Sequence, residues 1–178
     1  MKVQGIRNTN TKSSIEEAFT SLLRKKDIEN ITIKDITEKA NINRATFYAH
    51  FEDKYQLFDE MMHKAIMETI NSKAGNLIIL DKTHIEVLFN SICGFMNLVV
   101  ENCPYSFLKL FPLLRIKMIA ALQEHIHTRL TNLEQNIDMF MSLMFSSMLY
   151  EAAEIFILKK SNLEQDKILD ELTNIILR

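Results

Sequence analysis

Two short apolar patterns in the first third of the chain predict a pair of helices with a tight turn between them. Ile33, Ile36 and Ala40 recur at helical spacing on one side of the first helix. Thr32 stands immediately before this helix and Asp35 follows three residues later, which is the spacing of a capping box. The pattern therefore predicts a helix that begins at Ile33 and ends close to Ala40.

A second helix is predicted a few residues later. Asn41 stands where the first helix must end, and asparagine tolerates the left-handed backbone conformation that such an end requires. Asn43 is well placed to cap a second helix from Arg44 to about His50. Phe47 and Phe51 lie four residues apart and can pack inward together. The outward positions then carry hydrogen-bond donors and no acid: Arg44, Thr46, Tyr48 and His50.

This arrangement is typical of the helix-turn-helix, whose second helix enters the major groove of DNA by its N-terminal end. Any short amphipathic helix pair gives a similar spacing, so the spacing alone leaves that alternative open. Lys54 follows at the predicted start of another helix, where its ammonium group and the helix N-terminus could meet one phosphate. Up to this point, a DNA-binding helix pair and a generic amphipathic helix pair both remain open.

The segment ITIKDITEKANINRATFYAHFEDKYQLF, residues 31–58, resembles the DNA-binding segment of the TetR family of bacterial one-component transcriptional regulators. The resemblance rests on the T-x-x-D-I start of the first helix, the N-R-A-T-F-Y-x-H-F second helix, and the acidic residue and lysine before the next helix. Asn41 and Asp27 stand where the family often has glycine. The resemblance implies a helix-turn-helix head, a body that binds an effector, and a dimer formed by the last two helices.

Composition agrees with an all-α fold, because three Gly and two Pro in 178 residues leave few turn formers. We predict a three-helix DNA-binding head in residues 1–54, joined by a linking helix to an effector-binding and dimerisation bundle within residues 55–178. Residues 1–8 are predicted to form a polar arm. Helices outside the helix-turn-helix are predicted at about 11–26, 54–73, 85–100, 113–133, 137–158 and 163–177.

Net charge changes this picture little. The formal charge is −2, with ten Lys or Arg against eight Asp or Glu in residues 1–54 and an excess of acid in the remainder. That asymmetry fits a DNA-contacting head on an acidic body. The chain has no secretory signal pattern and no uninterrupted apolar run of about 18 residues, so we expect a cytoplasmic protein without a membrane span.

Other chemistry finds little support in the sequence. Cys93 and Cys103 are ten residues apart, which is neither a zinc nor a redox spacing, so we expect reduced packing residues. His125 and His127 are two apart on a predicted helix and point to different faces, so no metal site is expected. The chain has no glycine-rich phosphate loop, nucleophile elbow or zinc-type His-Glu motif. We therefore predict neither an enzyme nor a bound cofactor.

Residues at the helix-turn-helix are predicted to contact double-stranded DNA. Arg44 is the first choice for reading a base, because a guanidinium can bond two acceptors of guanine at once. Ala45 and Thr46 are predicted to meet a thymine methyl group or a phosphate. Phosphate contacts, which set register without reading sequence, are predicted for Tyr48, His50 and Lys54. The resemblance adds backbone or base contacts by Thr32 and Lys34.

The last two predicted helices carry more apolar surface than one side can bury, and a homodimeric four-helix bundle is the simplest solution. An intramolecular core alone is the alternative. A symmetric dimer would select a near-palindromic operator. Large apolar side chains of the body are predicted to line a pocket for a small apolar effector, although each of them could equally be core: Phe95, Met96, Tyr105, Met118, Met144 and Met148.

The predicted function is a ligand-responsive, sequence-specific transcriptional regulator, and a repressor in preference to an activator. The competing interpretation is a TetR-like coactivator, which binds a protein partner instead of DNA. A weaker third interpretation is a lipid-binding carrier. The intact polar side of the second helix of the pair favours DNA.

Overall fold

The computed structural model describes residues 3–75, 79–130 and 138–177, and all regular structure in those ranges is helical. This confirms the predicted all-α class for the described residues. A single 3₁₀ turn, Ile28–Asn30, stands between the first two helices. The helices are α1 Val3–Leu23, α2 Ile33–Ala40, α3 Arg44–Tyr48, α4 Lys54–Ala74, α5 Lys82–Asn102, α6 Phe107–Leu130, α7 Met139–Ile157 and α8 Gln165–Ile176.

The chain divides into two compact units, and the division differs from the predicted boundary at residue 54. The first unit comprises Met1–His63 together with Val99–Leu110, and the second comprises Lys64–Leu98 and Phe111–Arg178. Helix α4 therefore begins in the first unit and ends in the second. The junction between α5 and α6, predicted to belong to the body, is part of the first unit.

Polar contacts explain why the α5–α6 junction belongs to the first unit. The backbone N–H of Ile28 donates to the buried Ser106 hydroxyl over 2.7 Å. Lys109 pairs with the carboxylate of Asp27 at 2.6 Å. The guanidinium of Arg24 donates twice to the side-chain oxygen of Asn102. The core of this unit is apolar and lies among the helix-turn-helix and its neighbours, with Ile15, Phe19, Leu23, Ile31, Ile36, Phe47, Phe51, Leu57 and Phe58 buried.

The second unit has its own core, centred on α5. This helix was predicted to be apolar nearly all round, and Ile85, Leu88, Phe89 and Ile92 are each at most 1% exposed. Helices α5 and α7 are long and apolar enough to cross a membrane by length and composition alone, a test that the core helices of soluble proteins also pass. In α5 most of that apolar stretch is buried inside the protein, whereas in α7 most of it is not.

Both cysteines are buried free thiols, as predicted. Burial raises the pKa of Cys103 to about 11, which keeps that thiol neutral near pH 7. Burial has the same effect on Cys93, whose pKa rises to about 12. Neither side chain therefore has the thiolate character that reactive cysteines require.

Two predicted helix starts are wrong. Helix α1 begins at Val3 instead of residue 11, because residues 3–10 contain one glycine and no proline to stop it, and the predicted arm is largely helical. Helix α6 begins at Phe107 and contains Pro112, which was predicted to precede it. Pro112 removes the bond to the carbonyl of Leu108, and that residue is 76% exposed, so water can serve the carbonyl instead. The predicted boundaries at residues 133 and 137 lie outside the described residues.

Candidate nucleic-acid interface

The start of α2 is held by a reciprocal pair of hydrogen bonds, which confirms the predicted capping box. The Thr32 hydroxyl accepts from the backbone N–H of Asp35 at 3.1 Å, and the Asp35 carboxylate accepts from the backbone N–H of Thr32 at 2.8 Å. Lys26 adds an ion pair to the same carboxylate at 2.9 Å. The hydrogen bond from Lys26, followed by those from Thr32, lowers the pKa of Asp35 to about 2.

The turn after α2 depends on Asn41, which adopts the predicted left-handed conformation with φ 54° and ψ 47°. Its N–H donates to the carbonyl of Glu38 at 3.3 Å, and the N–H of Ile42 donates to the carbonyl of Thr37 at 3.0 Å. These bonds satisfy carbonyls that the end of the helix would leave without donors. The chain can therefore reverse within three residues and start α3.

Helix α3 is short and is fixed at its start and on its inner face. The side-chain oxygen of Asn43 accepts from the backbone N–H of Thr46 at 2.7 Å, which confirms the predicted cap. Phe47 is completely buried and its ring centroid lies 5.8 Å from that of the buried Phe51. A five-residue helix has little stability of its own, so the cap and the Phe47 anchor determine its orientation.

The remaining face of α3 carries the predicted DNA-contacting side chains. Arg44, Ala45 and Tyr48 are exposed, and His50 is half-buried just beyond the helix. Thr46 is also half-buried, and its hydroxyl donates to Asn43 at 3.0 Å. The helix itself contains no acid. The structure thus brings an exposed guanidinium and a phenol together on one short, anchored helix.

The predicted contacts at the start of α2 are exposed but already have partners. The hydroxyl of Thr32 donates to Asp35 at 2.8 Å, and Lys34 pairs with Glu38 one turn later at 3.6 Å. Both members of that second pair are 66% exposed, so water competes with it. Lys34 can exchange this weak pair for a phosphate at small cost.

Lys54 has a structural role that the sequence did not reveal. Its ammonium donates to the backbone carbonyls of Ile28 at 2.7 Å, Glu29 at 3.0 Å and Ile31 at 2.8 Å. An ammonium group has three donors, and these bonds use all of them. Lys54 therefore ties the first turn of α4 to the 3₁₀ turn, and the predicted phosphate contact requires it to give up one of these bonds.

The residues of the first unit that were not predicted from the sequence are those that connect distant parts of the chain. Ser106 and Lys109 lie 78 and 82 residues from their partners, and no local pattern marks them. Tyr55, at the start of α4, donates to Glu29 at 3.0 Å.

The predicted effector residues separate into three groups. Phe95, Met96 and Met118 line one crevice in the second unit, together with Tyr150 of α7, and the crevice is too narrow to admit a water molecule. Met144 is exposed and Met148 half-buried on α7, and neither lines this crevice. Tyr105 is 61% exposed and belongs to the first unit, which corrects its predicted place in the body.

Tyr150, which lines this crevice, carries a buried hydroxyl group that sequence reasoning missed. Its side chain is 1% exposed, and its hydroxyl has no hydrogen-bond partner among the described residues. Burial raises the pKa of Tyr150 above its usual range, so the phenol stays protonated. A ligand with an acceptor group would satisfy this hydroxyl.

The geometry of the first unit defines a DNA-binding protein of the helix-turn-helix class, and comparisons with known proteins agree. A family model described as bacterial regulatory proteins, tetR family, matches residues 15–61. An uncharacterized HTH-type transcriptional regulator, YxbF of Bacillus subtilis (strain 168), is 42% identical over 62 residues. That match covers 34% of this chain and spans 16% of the relative.

Solved structures extend the similarity in fold to nearly the whole chain. A TetR transcriptional regulator from Streptococcus agalactiae 2603V has a TM-score of 0.60 at 21% identity, with 98% of this chain and 97% of that chain covered. The dihydroxyacetone kinase operon activator DhaS has a TM-score of 0.60 at 17% identity, with 94% of each chain covered. Residues 15–61 thus match the tetR family of bacterial regulatory proteins, and the fold of the chain is that of solved TetR regulators.

Proposed function

We propose that the chain is a cytoplasmic repressor that binds a near-palindromic operator as a homodimer and is released by a small, mainly apolar effector. The observation that carries DNA binding is the construction of α3. The Asn43 cap fixes its start, the buried Phe47 anchors its inner face, and Arg44 and Tyr48 are left exposed on a face without acids. Such a helix can meet phosphates and base edges without charge repulsion.

Within this proposal, Arg44 reads a base, and Ala45 and Thr46 lie against a thymine methyl group or a phosphate. Tyr48 and His50 bind phosphates and set the register of α3. Thr32 and Lys34 contact the DNA from the start of α2, and Lys54 binds a phosphate after giving up one of its three backbone bonds. Arg44 is the residue on which sequence preference depends most, because its planar fork pairs with two acceptors of guanine.

The dimer is supported by the surface of α7. Phe140, Met144 and Ile155 are 66%, 45% and 37% exposed, and their spacing places them on one side of the helix. The opposite side is buried, with Phe145 and Leu149 in the core. An apolar stripe that is exposed in one chain is expected to bury against a second copy.

The free energy of burial indicates how much of the α7 surface must be buried in the dimer. The three stripe residues are already partly buried, so completing their burial contributes only about 1 kcal/mol each, or ~6 kcal/mol for two copies. Association itself costs about 4–15 kcal/mol. Neighbouring apolar residues must therefore join the interface, and exposed candidates lie on α7 and α8: Met139, Met141, Leu143 and Ile175.

The effector proposal is supported by the crevice at Phe95, Met96 and Met118. Its lining residues are apolar apart from Tyr150, and two of them are methionines, which adapt to ligands of irregular shape. Because the crevice is closed to water, a ligand must open it on binding. An effector that binds the opened form a hundredfold more tightly than the closed form would shift the equilibrium between these two forms by ~2.7 kcal/mol.

Genomic SELEX with the purified full-length chain tests the proposed function. We expect enrichment of fragments that share an inverted repeat with half-sites about one helical turn apart. A protein-binding coactivator would enrich no sequence. A reporter gene fused to an enriched fragment then distinguishes repression from activation. Both outcomes are tested because the structural neighbour DhaS is an operon activator.

A further inference from the structure

The second unit contains a pair of buried histidines that play no part in the proposed DNA binding. The side chains of His84 on α5 and His125 on α6 are 0% and 7% exposed, and their Nε2 atoms lie 3.2 Å apart. The Nδ1 atom of His84 lies 3.0 Å from the backbone carbonyl oxygen of Ile79. Sequence reasoning compared His125 with His127 and missed its actual partner, 41 residues upstream.

Hydrogen-bond chemistry determines where the protons of this pair must be. A carbonyl oxygen can only accept, so Nδ1 of His84 carries a proton and Nε2 of the same neutral ring accepts. Nε2 of His125 must then be the donor. A proton added to the accepting nitrogen of His84 would set two donors against each other at 3.2 Å. The contact therefore keeps the His84 ring neutral.

His125 also lines a cleft between α4 and α6, with about 150 Å³ of open space. Met67 and Ile70 of α4 and Ala121 of α6 form its apolar part. Its polar part consists of Asn71, Glu124, His125 and Thr128. A cavity of about this size holds one aromatic ring the size of benzene. The space therefore suits a small ligand with an apolar body and a polar end.

The charge of Glu124 indicates which polar group the ligand should carry. Glu124 is exposed and forms no ion pair with any residue in the described ranges. Apart from His125, Glu124 is the only ionisable side chain among the residues that line the cleft. An anion would be repelled by this carboxylate. A cation with N–H donors would gain a charge-assisted hydrogen bond.

We propose that this cleft binds a small organic amine in its ammonium form, with an aryl or short alkyl body against Met67, Ile70 and Ala121. The site is separate from the crevice at Tyr150. The proposal goes beyond the proposed function, since it concerns ligand binding by the second unit and stands whether or not the first unit binds DNA. A divalent metal is the less suitable ligand, because the described residues hold no group of three metal-binding side chains.

Isothermal titration calorimetry of the full chain with benzylamine tests this proposal, with benzyl alcohol as the neutral probe of matched shape. We expect benzylamine to bind at least about tenfold more tightly than the alcohol, as one charge-assisted hydrogen bond predicts. Glu124→Gln preserves the shape of the side chain and removes its charge, so it should remove that preference. Glu101→Gln, an exposed change outside the cleft, should leave benzylamine binding unchanged.

Three outcomes would overturn the proposal: no binding of benzylamine, equal binding of the alcohol, or benzylamine affinity unchanged in Glu124→Gln. Zn²⁺ in a parallel titration supplies a further check. Competition between Zn²⁺ and benzylamine would reassign the cleft to a metal, whereas benzylamine binding that Zn²⁺ leaves unaltered supports the amine. Circular dichroism of both variants confirms that each remains folded, as expected for exposed glutamates.

Discussion

The helix-turn-helix and helix α7 both have a buried face, but their exposed faces differ in kind. Helix α3 exposes a guanidinium and a phenol beside the buried Phe47, whereas α7 exposes Phe140 and Met144 opposite a buried core face. The polar face can remain in water until it meets DNA. The apolar face is costly in water, and this difference indicates a surface for reversible binding in one place and for lasting association in the other.

The two regions also differ in how their geometry is determined. Helices α2 and α3 are set by hydrogen bonds between residues at most five apart, at Thr32, Asn41 and Asn43. The packing of α7 depends on residues from other helices and, in our proposal, on a second chain. Local hydrogen bonds therefore determine the geometry of the DNA-binding face. In our proposal, assembly determines whether the exposed face of α7 becomes buried.

The largest expected effect is on assembly. Met144→Glu places a charge in the proposed dimer interface, where it has no partner, and we expect dimer dissociation to become about a hundredfold easier, or ~2.7 kcal/mol. Helix content should not change, because Met144 is exposed in the single chain. Analytical ultracentrifugation measures this. Leu108→Glu, an exposed position of the first unit, is the control, and an equal effect of both changes would argue against an α7 interface.

The second-largest effect is expected for Lys54→Met, which distinguishes a structural role of Lys54 from a role in phosphate binding. The change keeps the side-chain length and removes the bonds to Ile28, Glu29 and Ile31, so we expect the free energy of unfolding to fall by about 1.5–3 kcal/mol. Urea denaturation measures this loss. If Lys54 instead acts mainly on phosphate, stability will be retained and the salt dependence of DNA binding will fall by about one ion.

Arg44→Ala should weaken binding to the selected operator by ~1–3 kcal/mol and relax the preference at one base pair. Its stability should be nearly unchanged, because the side chain is exposed. Fluorescence anisotropy on the operator and on a scrambled duplex makes the comparison, with Lys167→Ala of the second unit as the control. Equal losses on both duplexes would exclude base reading by Arg44.

The smallest effect concerns acid stability at the α2 cap. The pKa of Asp35 is lowered from its ordinary value of 3.8 to about 2, so its ionised form stabilises the fold above pH 4. That contribution should be lost as the pH falls from about 4 toward 2. Asp35→Asn should be less stable than the parent at pH 6 and should show a weaker pH dependence below pH 4. Parallel pH profiles for the variant and the parent would contradict this role.

The sequence was most informative where contacts are local. The Thr32–Asp35 box, the left-handed Asn41 and the Asn43 cap involve neighbouring residues whose types have strong conformational preferences, and all three were predicted correctly. The attachment of Ser106 to Ile28 was missed because it joins residues 78 apart. The His84–His125 pair was missed for the same reason.

A different limit applies to apolar helices, where the sequence does not reveal which face is buried. Helix α7 is apolar on both sides, so its sequence could not distinguish the core face of Phe145 from the exposed face of Met144. Pro112 was assigned a position before α6, although it lies inside that helix. Leu108, whose carbonyl loses its bond, is exposed, so water can replace that bond, which a single sequence does not reveal.

The most direct test of the account is an anisotropy titration of a SELEX-enriched duplex with the full-length chain, repeated with a scrambled duplex of the same composition. We predict two protomers per duplex and an affinity at least ~10³-fold higher for the enriched sequence at physiological salt. Equal affinity for the two duplexes, or no measurable binding to either at low salt, would contradict the claim that α3 reads DNA.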